Sequence, residues 1–251
     1  MSLISHGRLG LVIIAIFLAS APLAADEVPV QASEGDRLVA QIELNAELVG
    51  PLTGRPTIDP SILEVIREVP RRAFVTEEAA PYAYLDLPLP AAFGLRESQP
   101  FLVALMSDLA DIDAADEVLI LGVGGGYHAA VASRLAARVS VVDLDPAAAA
   151  AAADRLARLG YDNVEVRSAD PYDGWPEAGR RFDAIIVRLA IDRVPRALLR
   201  QMAEGSRLVA PQGRAEDEQT LMLVTRQRNG TFRRKAILPV RFMRLPGGER
   251  I

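Results

Sequence analysis

Gly122, Gly124 and Gly126 follow the apolar run 118–121 and form the pattern in this chain that is most able to support chemistry. Glycine lets the backbone adopt positive φ and lets a ligand approach closely. Residues 128–137 are rich in alanine, and we expect a helix there whose N-terminus faces the same turn. A strand, a glycine-rich turn and a helix N-terminus indicate a site for a nucleotide-type ligand, although ordinary tight turns also use glycine.

A carboxylate, Asp143, follows the next strand that the sequence predicts. Residues 139–142 are mostly β-branched and indicate that strand. Its end lies about 20 residues beyond the glycine turn, the spacing at which an acid binds ribose hydroxyls in nucleotide folds. Asp143 could instead cap a helix that starts at Pro146. The order of strand, glycines, helix, strand and acid favours an adenosine-containing ligand.

The composition excludes several kinds of chemistry. The chain has no cysteine, which removes disulfides, thiol nucleophiles and cysteine-bound metals. It has two histidines, so a Ser-His-Asp triad would depend on His128 alone and no histidine cluster can hold a metal. His128 starts the predicted helix, where we expect a pocket or surface residue. The net charge of -5 gives no basic surface for nucleic acid, and the arginines near the C-terminus fit a solvated face.

Residues 1–25 have the pattern of a targeting segment. Arg8 supplies a positive charge, residues 9–18 are almost wholly apolar, and small residues then precede acidic ones. The uncharged stretch is shorter than the roughly 20 residues of a membrane span, which favours a cleaved signal peptide and an exported protein, periplasmic or secreted. Leu23 is unfavourable at position -3 of the expected cut, so an inner-membrane anchor through residues 9–25 stays open.

The length of 251 residues fits one main domain after a short N-terminal part. Residues 26–58 predict a linker followed by a helix, in which apolar side chains recur at three- and four-residue steps from 38 to 49. A Gly-Pro pair at 50–51 should end this helix. Asp59 should cap the next helix, and residues 59–251 form the main domain.

Strands and helices alternate along this domain. The pattern predicts helices at 101–109, 128–137, 146–159 and 196–202 and strands at 118–121, 139–142, 164–167, 184–187 and 207–210. This alternation is typical of a doubly wound α/β fold with a mostly parallel sheet. Asn229 and Gly230 between two further strands predict a C-terminal antiparallel hairpin. The long irregular segment 81–100 is of a kind that is often functional.

The glycine spacing separates two classes of nucleotide-binding fold. A dinucleotide-binding turn has its third glycine where this chain has Tyr127. The terminal hairpin also suits a Rossmann-like methyltransferase sheet better than a dehydrogenase sheet. A nicotinamide-dependent oxidoreductase is therefore disfavoured.

Short motifs occur along the main domain in an order and spacing that are specific as a series. They are Val-Pro-Arg-Arg-Ala-Phe-Val at 69–75, Ala-Tyr at 83–84 with Pro-Leu-Pro at 88–90, Ser-Gln-Pro at 98–100 with Val-Ala-Leu-Met at 103–106, the turn at 122–127, Phe-Asp-Ala-Ile-Ile-Val at 182–187 and Val-Arg-Phe at 240–242. Over residues 59–246 the chain resembles the protein-L-isoaspartate O-methyltransferase family.

This resemblance implies S-adenosylmethionine as cofactor and methyl transfer to the carboxylate of L-isoaspartyl residues in damaged proteins, a repair reaction. The carboxylate is already a nucleophile, so alignment and hydrogen bonds matter more than a strong base. By motif, Ser98 would be the active-site serine that orients this carboxylate, unless it only caps the helix that follows. The other implied roles are cofactor binding by Gly122, Gly124, Gly126, Asp143 and Asp170, and substrate binding by Arg241.

The chain departs from the family pattern beside the implied site. Ile120 stands where the family has an acid that helps to hold the methionine end of the cofactor, and Val123 stands where it has threonine. Four further departures lie beside the expected substrate cleft: Arg96, Glu97, Arg188 and Leu189. A second hypothesis is therefore a degenerate, non-catalytic binding protein of the cell envelope. We expect a monomer. It should associate with a membrane only if its N-terminal segment is not cleaved.

Overall fold

The computed structural model describes residues 32–214 and 217–247. The predicted signal peptide, residues 1–25, lies outside the described residues, and its cleavage stays a prediction. None of the helices in the described part of the chain is both long enough and apolar enough to cross a membrane.

Helices and strands alternate as the sequence predicts. The α-helices are α1 (Glu34–Thr53), α2 (Pro60–Glu68), α3 (Pro100–Ala110), α4 (Tyr127–Leu135), α5 (Pro146–Arg158) and α6 (Arg196–Gln201). The strands are β1 (Leu89–Pro90), β2 (Arg96–Glu97), β3 (Glu117–Leu121), β4 (Arg138–Asp143), β5 (Val164–Ser168), β6 (Phe182–Val187), β7 (Met202–Gln212), β8 (Gln219–Arg226) and β9 (Phe232–Val240).

Seven strands form one sheet in the order β5-β4-β3-β6-β7-β8-β9. Strands β3 to β7 are parallel, whereas β8 and β9 are antiparallel and form the hairpin around Asn229 and Gly230. The predicted fold class, a doubly wound and mostly parallel sheet with a C-terminal antiparallel hairpin, is confirmed. Strands β1 and β2 form a separate antiparallel pair within the segment 81–100.

The order of the strands reverses between β3 and β6. Leu121 and Val187, the last residues of these strands, are register partners. In an open parallel sheet, ligands bind in the crevice beyond the carboxyl ends of the strands at such a reversal. The next residues, Gly122 and Arg188, therefore stand on the two sides of the candidate site.

Side chains of β3 alternate between two apolar clusters. Val118 and Ile120 belong to the cluster that includes α1 to α4, and Leu119 and Leu121 belong to the cluster that includes α6 and β7. All four are 0% exposed, as expected for a parallel strand that is covered on both faces. Ile120, which stands at the family's acidic position, is thus a core residue.

Helix α1 is longer than the sequence predicts. The prediction that the Gly-Pro pair at 50–51 ends it is wrong, because the helix continues to Thr53 and only Gly54 adopts the left-handed cap conformation, with φ 72°. Proline removes one N–H from the helix, but the N–H of Gly54 donates to the carbonyl of Gly50 at 2.8 Å and closes the last turn. Helix α1 packs on α2 and α3, and the division of the domains at residue 59 stays a prediction.

Other helix and strand ends differ by a few residues from those predicted. Helix α4 stops at Leu135 because Ala136 is extended, with φ -121° and ψ 161°. Strand β7 begins at Met202 rather than at residue 207, so α6 ends before it. Asp59 caps α2 as predicted and accepts from the N–H of Ser61 at 2.8 Å.

Candidate active site

The glycine turn between β3 and α4 has the backbone geometry that its sequence predicts. The φ angle is 91° at Gly122, 58° at Gly124 and 104° at Gly126. Residues with a Cβ avoid this left-handed region, so glycine is required for the shape of the turn. Helix α4 begins at Tyr127, and its N-terminus adjoins the turn. The role of the three glycines in cofactor binding stays a prediction.

Asp143 lies against this turn at the end of β4. One carboxylate oxygen accepts from the N–H of Val123 at 2.7 Å and the other from the N–H of Asp145 at 3.0 Å. The structure therefore brings together the acid and the turn that the sequence spacing pairs. The alternative that Asp143 caps the following helix is wrong, because Asp145 caps α5 and accepts from the N–H of Ala147 at 2.9 Å. Ribose binding by Asp143 stays a prediction.

Asp170 lies just beyond the end of the neighbouring strand β5. Its carboxylate accepts from the N–H of Tyr172 at 2.9 Å and caps the short 3-10 helix Pro171–Asp173. The C-terminal segment packs on it, since a Cβ added to Gly247 would lie 2.6 Å from an Asp170 oxygen. Asp143 and Asp170 thus share the carboxyl edge of the sheet, and the proximity of Asp170 to an adenine stays a prediction.

A cavity of about 530 Å³ opens next to the turn. Its lining includes both predicted substrate-site residues and all four of the departures that the sequence places beside the cleft: Ser98, Arg241, Arg96, Glu97, Arg188 and Leu189. Its lining does not include the three turn glycines, Asp143 or Asp170. Within the described residues, this cavity therefore corresponds to the predicted substrate residues and not to the predicted cofactor residues.

Ser98 is half-buried in the cavity wall. The alternative that it caps α3 is wrong, because Gln99 occupies the N-cap position. Asp86 instead satisfies the start of α3 and accepts from the N–H of Phe101 at 2.7 Å. The Oγ of Ser98 is 3.5 Å from Nη2 of Arg188. This contact uses the hydroxyl oxygen as an acceptor, so its O–H can donate to a ligand in the cavity.

Glu97 and Arg188 form a buried ion pair between the cavity and the glycine turn. Oε2 of Glu97 is 2.8 Å from Nη2 of Arg188, and the side chains are 0% and 4% exposed. Oε1 of Glu97 accepts from the N–H of Tyr127 at 3.0 Å, and Nη1 of Arg188 donates to the carbonyl of Gly122 at 2.9 Å. The sequence places both charges beside the cleft, but their pairing was missed because 91 residues separate them.

Known proteins are similar to this chain in sequence and in fold. A family model described as Protein-L-isoaspartate(D-aspartate) O-methyltransferase matches residues 43–250. The chain belongs to this family. Protein-L-isoaspartate O-methyltransferase 2 of Syntrophobacter fumaroxidans is 38% identical over 249 residues, which are 99% of this chain and 100% of that protein. The protein of the same name from Polaromonas sp. is 44% identical over 195 residues, which are 78% of this chain and 92% of that protein.

Two solved structures share the fold of this chain. A protein-L-isoaspartate O-methyltransferase superposes with a TM-score of 0.71 at 27% identity and covers 83% of this chain, which spans 66% of that one. A Plasmodium falciparum structure in complex with S-adenosyl-L-homocysteine superposes with a TM-score of 0.68 over 84% of this chain and 97% of its own. At 18% identity, the second comparison shows the fold alone.

One residue of the isoaspartyl methyltransferase motif at 69–75 has a role that the sequence did not reveal. Arg71 is fully buried, and burial lowers the pKa of its guanidinium. That group donates, at 2.7 to 3.0 Å, to four carbonyls: those of Ala83, Leu85, Leu87 and Ser98. Arg71 therefore fixes the irregular segment 81–100 and positions the backbone of Ser98.

Asp86 is a second anchor of the same segment. Its carboxylate accepts from the side-chain amides of Asn45 at 2.6 Å and Gln99 at 2.8 Å, in addition to the N–H of Phe101 at 2.7 Å. Burial raises the pKa of Asp86, although these hydrogen bonds and the charge of Arg71 oppose the rise. Asp86 therefore joins α1, the segment 81–100 and α3 next to the candidate catalytic serine.

The prediction that His128 is a pocket or surface residue is wrong. Its side chain is 0% exposed, and its Nε2 is 3.2 Å from Oγ of Ser107. Burial, together with the nearby charge of Arg188, lowers the pKa of His128 to about 3, so the imidazole is neutral at neutral pH. Because the ring is fully buried and does not line the cavity, it cannot contact a substrate there. Among the described residues, no cluster of three or more potential metal ligands occurs.

Proposed function

We propose that this protein transfers a methyl group from S-adenosylmethionine to the carboxylate of L-isoaspartyl residues in damaged proteins. The proposal is supported by the family match over residues 43–250 and by relatives of that name at 38% and 44% identity. The observation that carries it is the position of Ser98, whose hydroxyl faces a cavity of about 530 Å³ at the strand reversal of the sheet. The neighbouring backbone amide nitrogen can attack the methyl ester and expel methanol, which forms a succinimide, and hydrolysis of the succinimide can give aspartate and restore the chain.

The residues around the glycine turn fit this cofactor. The three glycines give the turn its left-handed backbone, Asp143 adjoins the turn, and the N-terminus of α4 contributes partial positive charge. Nε of Arg188 is buried without a hydrogen-bond partner among the described residues, so the site retains an unused donor. When bound, the cofactor supplies an electrophilic methyl group. Gly122, Gly124 and Gly126 would hold its methionine and ribose portions, with Asp143 at the ribose and Asp170 at the adenine.

The chain's own residues supply alignment and desolvation rather than a base. An isoaspartyl carboxylate is ionised at neutral pH and can attack without deprotonation. The hydroxyl of Ser98 can donate a hydrogen bond to one carboxylate oxygen and so orient the other. Leu87, Leu102 and Val240 give the cavity apolar walls that exclude water. Arg241, which is exposed at the cavity, provides a positive charge for the peptide.

A non-catalytic binding protein is the second candidate function. It is favoured by the burial of Ile120 in the core and by the position of Arg188 on the turn, where a Cβ added to Gly124 would lie 2.5 Å from Nη1. Calorimetric titration of the full chain with S-adenosylhomocysteine separates the two candidates. The enzyme is expected to bind this product, whereas no detectable binding at millimolar ligand would contradict catalysis.

We propose further that the chain is exported and acts as a periplasmic or secreted monomer. The support is the pattern of residues 1–25, and an inner-membrane anchor through residues 9–25 is the alternative. Mass spectrometry of the protein recovered from fractionated cells tests this proposal, with light scattering for its mass in solution. A monomer that begins at Asp26 in the soluble envelope fraction is expected, and an intact N-terminus in the membrane fraction would indicate the anchor.

A further inference from the structure

The Glu97–Arg188 ion pair occupies a position where charge is costly. Both side chains are at least nine-tenths buried, with exposures of 0% and 4%. Removing two charges from water is costly, and apolar side chains of similar volume commonly pack as stably. Packing alone therefore does not explain why a carboxylate and a guanidinium meet between the cavity and the glycine turn.

Arg188 covers the face of the turn that glycine leaves open. A Cβ added to Gly124 would lie 2.5 Å from Nη1 and 2.7 Å from Nη2 of Arg188. Nη1 donates to the carbonyl of Gly122 at 2.9 Å, whereas Nε is buried without a partner among the described residues. The guanidinium thus has three hydrogen-bond contacts, with Gly122, Glu97 and the Oγ of Ser98, and one unused donor beside Gly124.

Glu97 supplies the negative charge that pairs with Arg188, and its carboxylate lies at the start of α4. Its Oε1 accepts from the N–H of Tyr127 at 3.0 Å, and only its Oε2 pairs with Arg188. The end of β3 supplies no acid here, because the residue at the family's acidic position is Ile120, which is fully buried in the apolar core. The carboxylate that borders the glycine turn on this side is therefore supplied by β2.

A carboxylate beside a guanidinium is complementary to the ammonium and carboxylate of a free α-amino acid group. We propose that Glu97 binds the ammonium and Arg188 binds the carboxylate at the amino-acid end of S-adenosylmethionine. Each exchanges its present partner for the ligand group of opposite charge, so neither side chain is left buried and unpaired. This inference rests on the proposed function, because the cofactor is the ligand that presents an amino acid at the turn.

Two ligands that differ only by the amino-acid portion test the inference. The full chain and its Glu97→Gln and Arg188→Thr variants are titrated calorimetrically with S-adenosylhomocysteine and with 5′-methylthioadenosine, which keeps the adenosine and the sulfur but has no amino acid. Each substitution should weaken binding of S-adenosylhomocysteine by about 10- to 100-fold, the usual range for losing a hydrogen bond to a charged group. Binding of 5′-methylthioadenosine should change by less than about threefold, because it presents no charge to the pair. Arg188→Lys should restore part of the affinity.

Arg96→Thr is the matched control. It removes another arginine from the same cavity, but Arg96 is exposed and donates to the carbonyl of Pro88 rather than to the ion pair. The affinity for S-adenosylhomocysteine should stay unchanged in this variant. Glu97→Gln keeps an oxygen for the N–H of Tyr127, and thermal unfolding verifies that each variant folds.

The outcomes separate the inference from the proposed function. Unchanged binding of S-adenosylhomocysteine in Glu97→Gln and Arg188→Thr, or equal weakening of both ligands, would overturn the inference alone. Tighter binding in Arg188→Thr would also overturn it, since the pair would then block the turn. A natural chain that binds neither ligand would contradict both the inference and the proposed function.

Discussion

The backbone and the side chain of Ser98 have separate roles. Its carbonyl accepts from Arg71 at 3.0 Å and fixes the residue, while its hydroxyl lines the cavity. We expect Ser98→Ala to lower methyl transfer to an isoaspartyl peptide by about 100-fold, the usual effect of losing one hydrogen-bond donor at the reacting group. Cofactor affinity should stay nearly unchanged. Initial rates and calorimetry measure the two effects, and unchanged turnover would remove Ser98 from the mechanism.

The buried His128 should make stability depend on pH. Its pKa is about 3 in the folded chain and about 6.5 when unfolded, so between these values only the unfolded state takes up the proton. Its contribution to stability is therefore complete above about pH 6.5 and declines as the pH falls. From pH 7 to pH 5 the natural chain should lose about 2 kcal/mol more unfolding free energy than His128→Gln does. Urea unfolding at both pH values measures this difference, and equal losses would contradict the assignment.

The sequence predicted the conformation and contacts of some site residues but not of others. The positive φ of Gly122, Gly124 and Gly126 follows from local backbone sterics, and a local spacing pairs Asp143 with the turn. The burial of His128 did not follow, because its ring packs against Ser107, 21 residues away. Contacts between distant segments depend on the packing of whole elements, which local patterns do not encode.

Among the elements, the irregular segment 81–100 depends on Arg71. We expect Arg71→Met to lower the unfolding free energy by about 3 to 5 kcal/mol, because the buried carbonyls that this guanidinium satisfies would lose their donor. Urea unfolding measures the loss, and limited proteolysis should detect new cleavage between residues 83 and 98. Methyl transfer should fall as well, since the backbone of Ser98 loses its support.

Arg72→Met is the control for this substitution. Arg72 is 53% exposed in its ion pair with Glu34, so its loss should cost at most about 1 kcal/mol. Similar destabilisation by both substitutions would show that Arg71 does not hold the segment.

Element types were predicted better than element ends. The hairpin of β8 and β9 is confirmed because Asn-Gly encodes its turn locally. Helix α1 continues beyond the Gly-Pro pair at 50–51. The proline removes one hydrogen bond from the helix, but Leu38, Ile42 and Val49 pack in the core and stabilise it. Tertiary packing therefore outweighed the local stop signal.

In the whole molecule, the reversal of strand order creates the candidate site. It places Gly122 after β3 beside Arg188 after β6, and the segment 81–100 brings Glu97 and Ser98 to the same place. The alternation of helices and strands predicted the fold class, and the series of motifs predicted the family. The Glu97–Arg188 pair was not predicted, since it requires two segments that lie 91 residues apart to meet. The proposed function therefore depends on whether this assembled site transfers methyl groups.

Transfer of a labelled methyl group from S-adenosylmethionine tests that claim most directly. The full chain is incubated with two peptides of the same sequence, one with an L-isoaspartyl residue and the other with normal aspartate. We expect label in the isoaspartyl peptide, released by mild alkali as expected for a methyl ester, and little label in the aspartyl peptide. Absence of label from both peptides, or equal label in the two, would contradict an isoaspartyl methyltransferase.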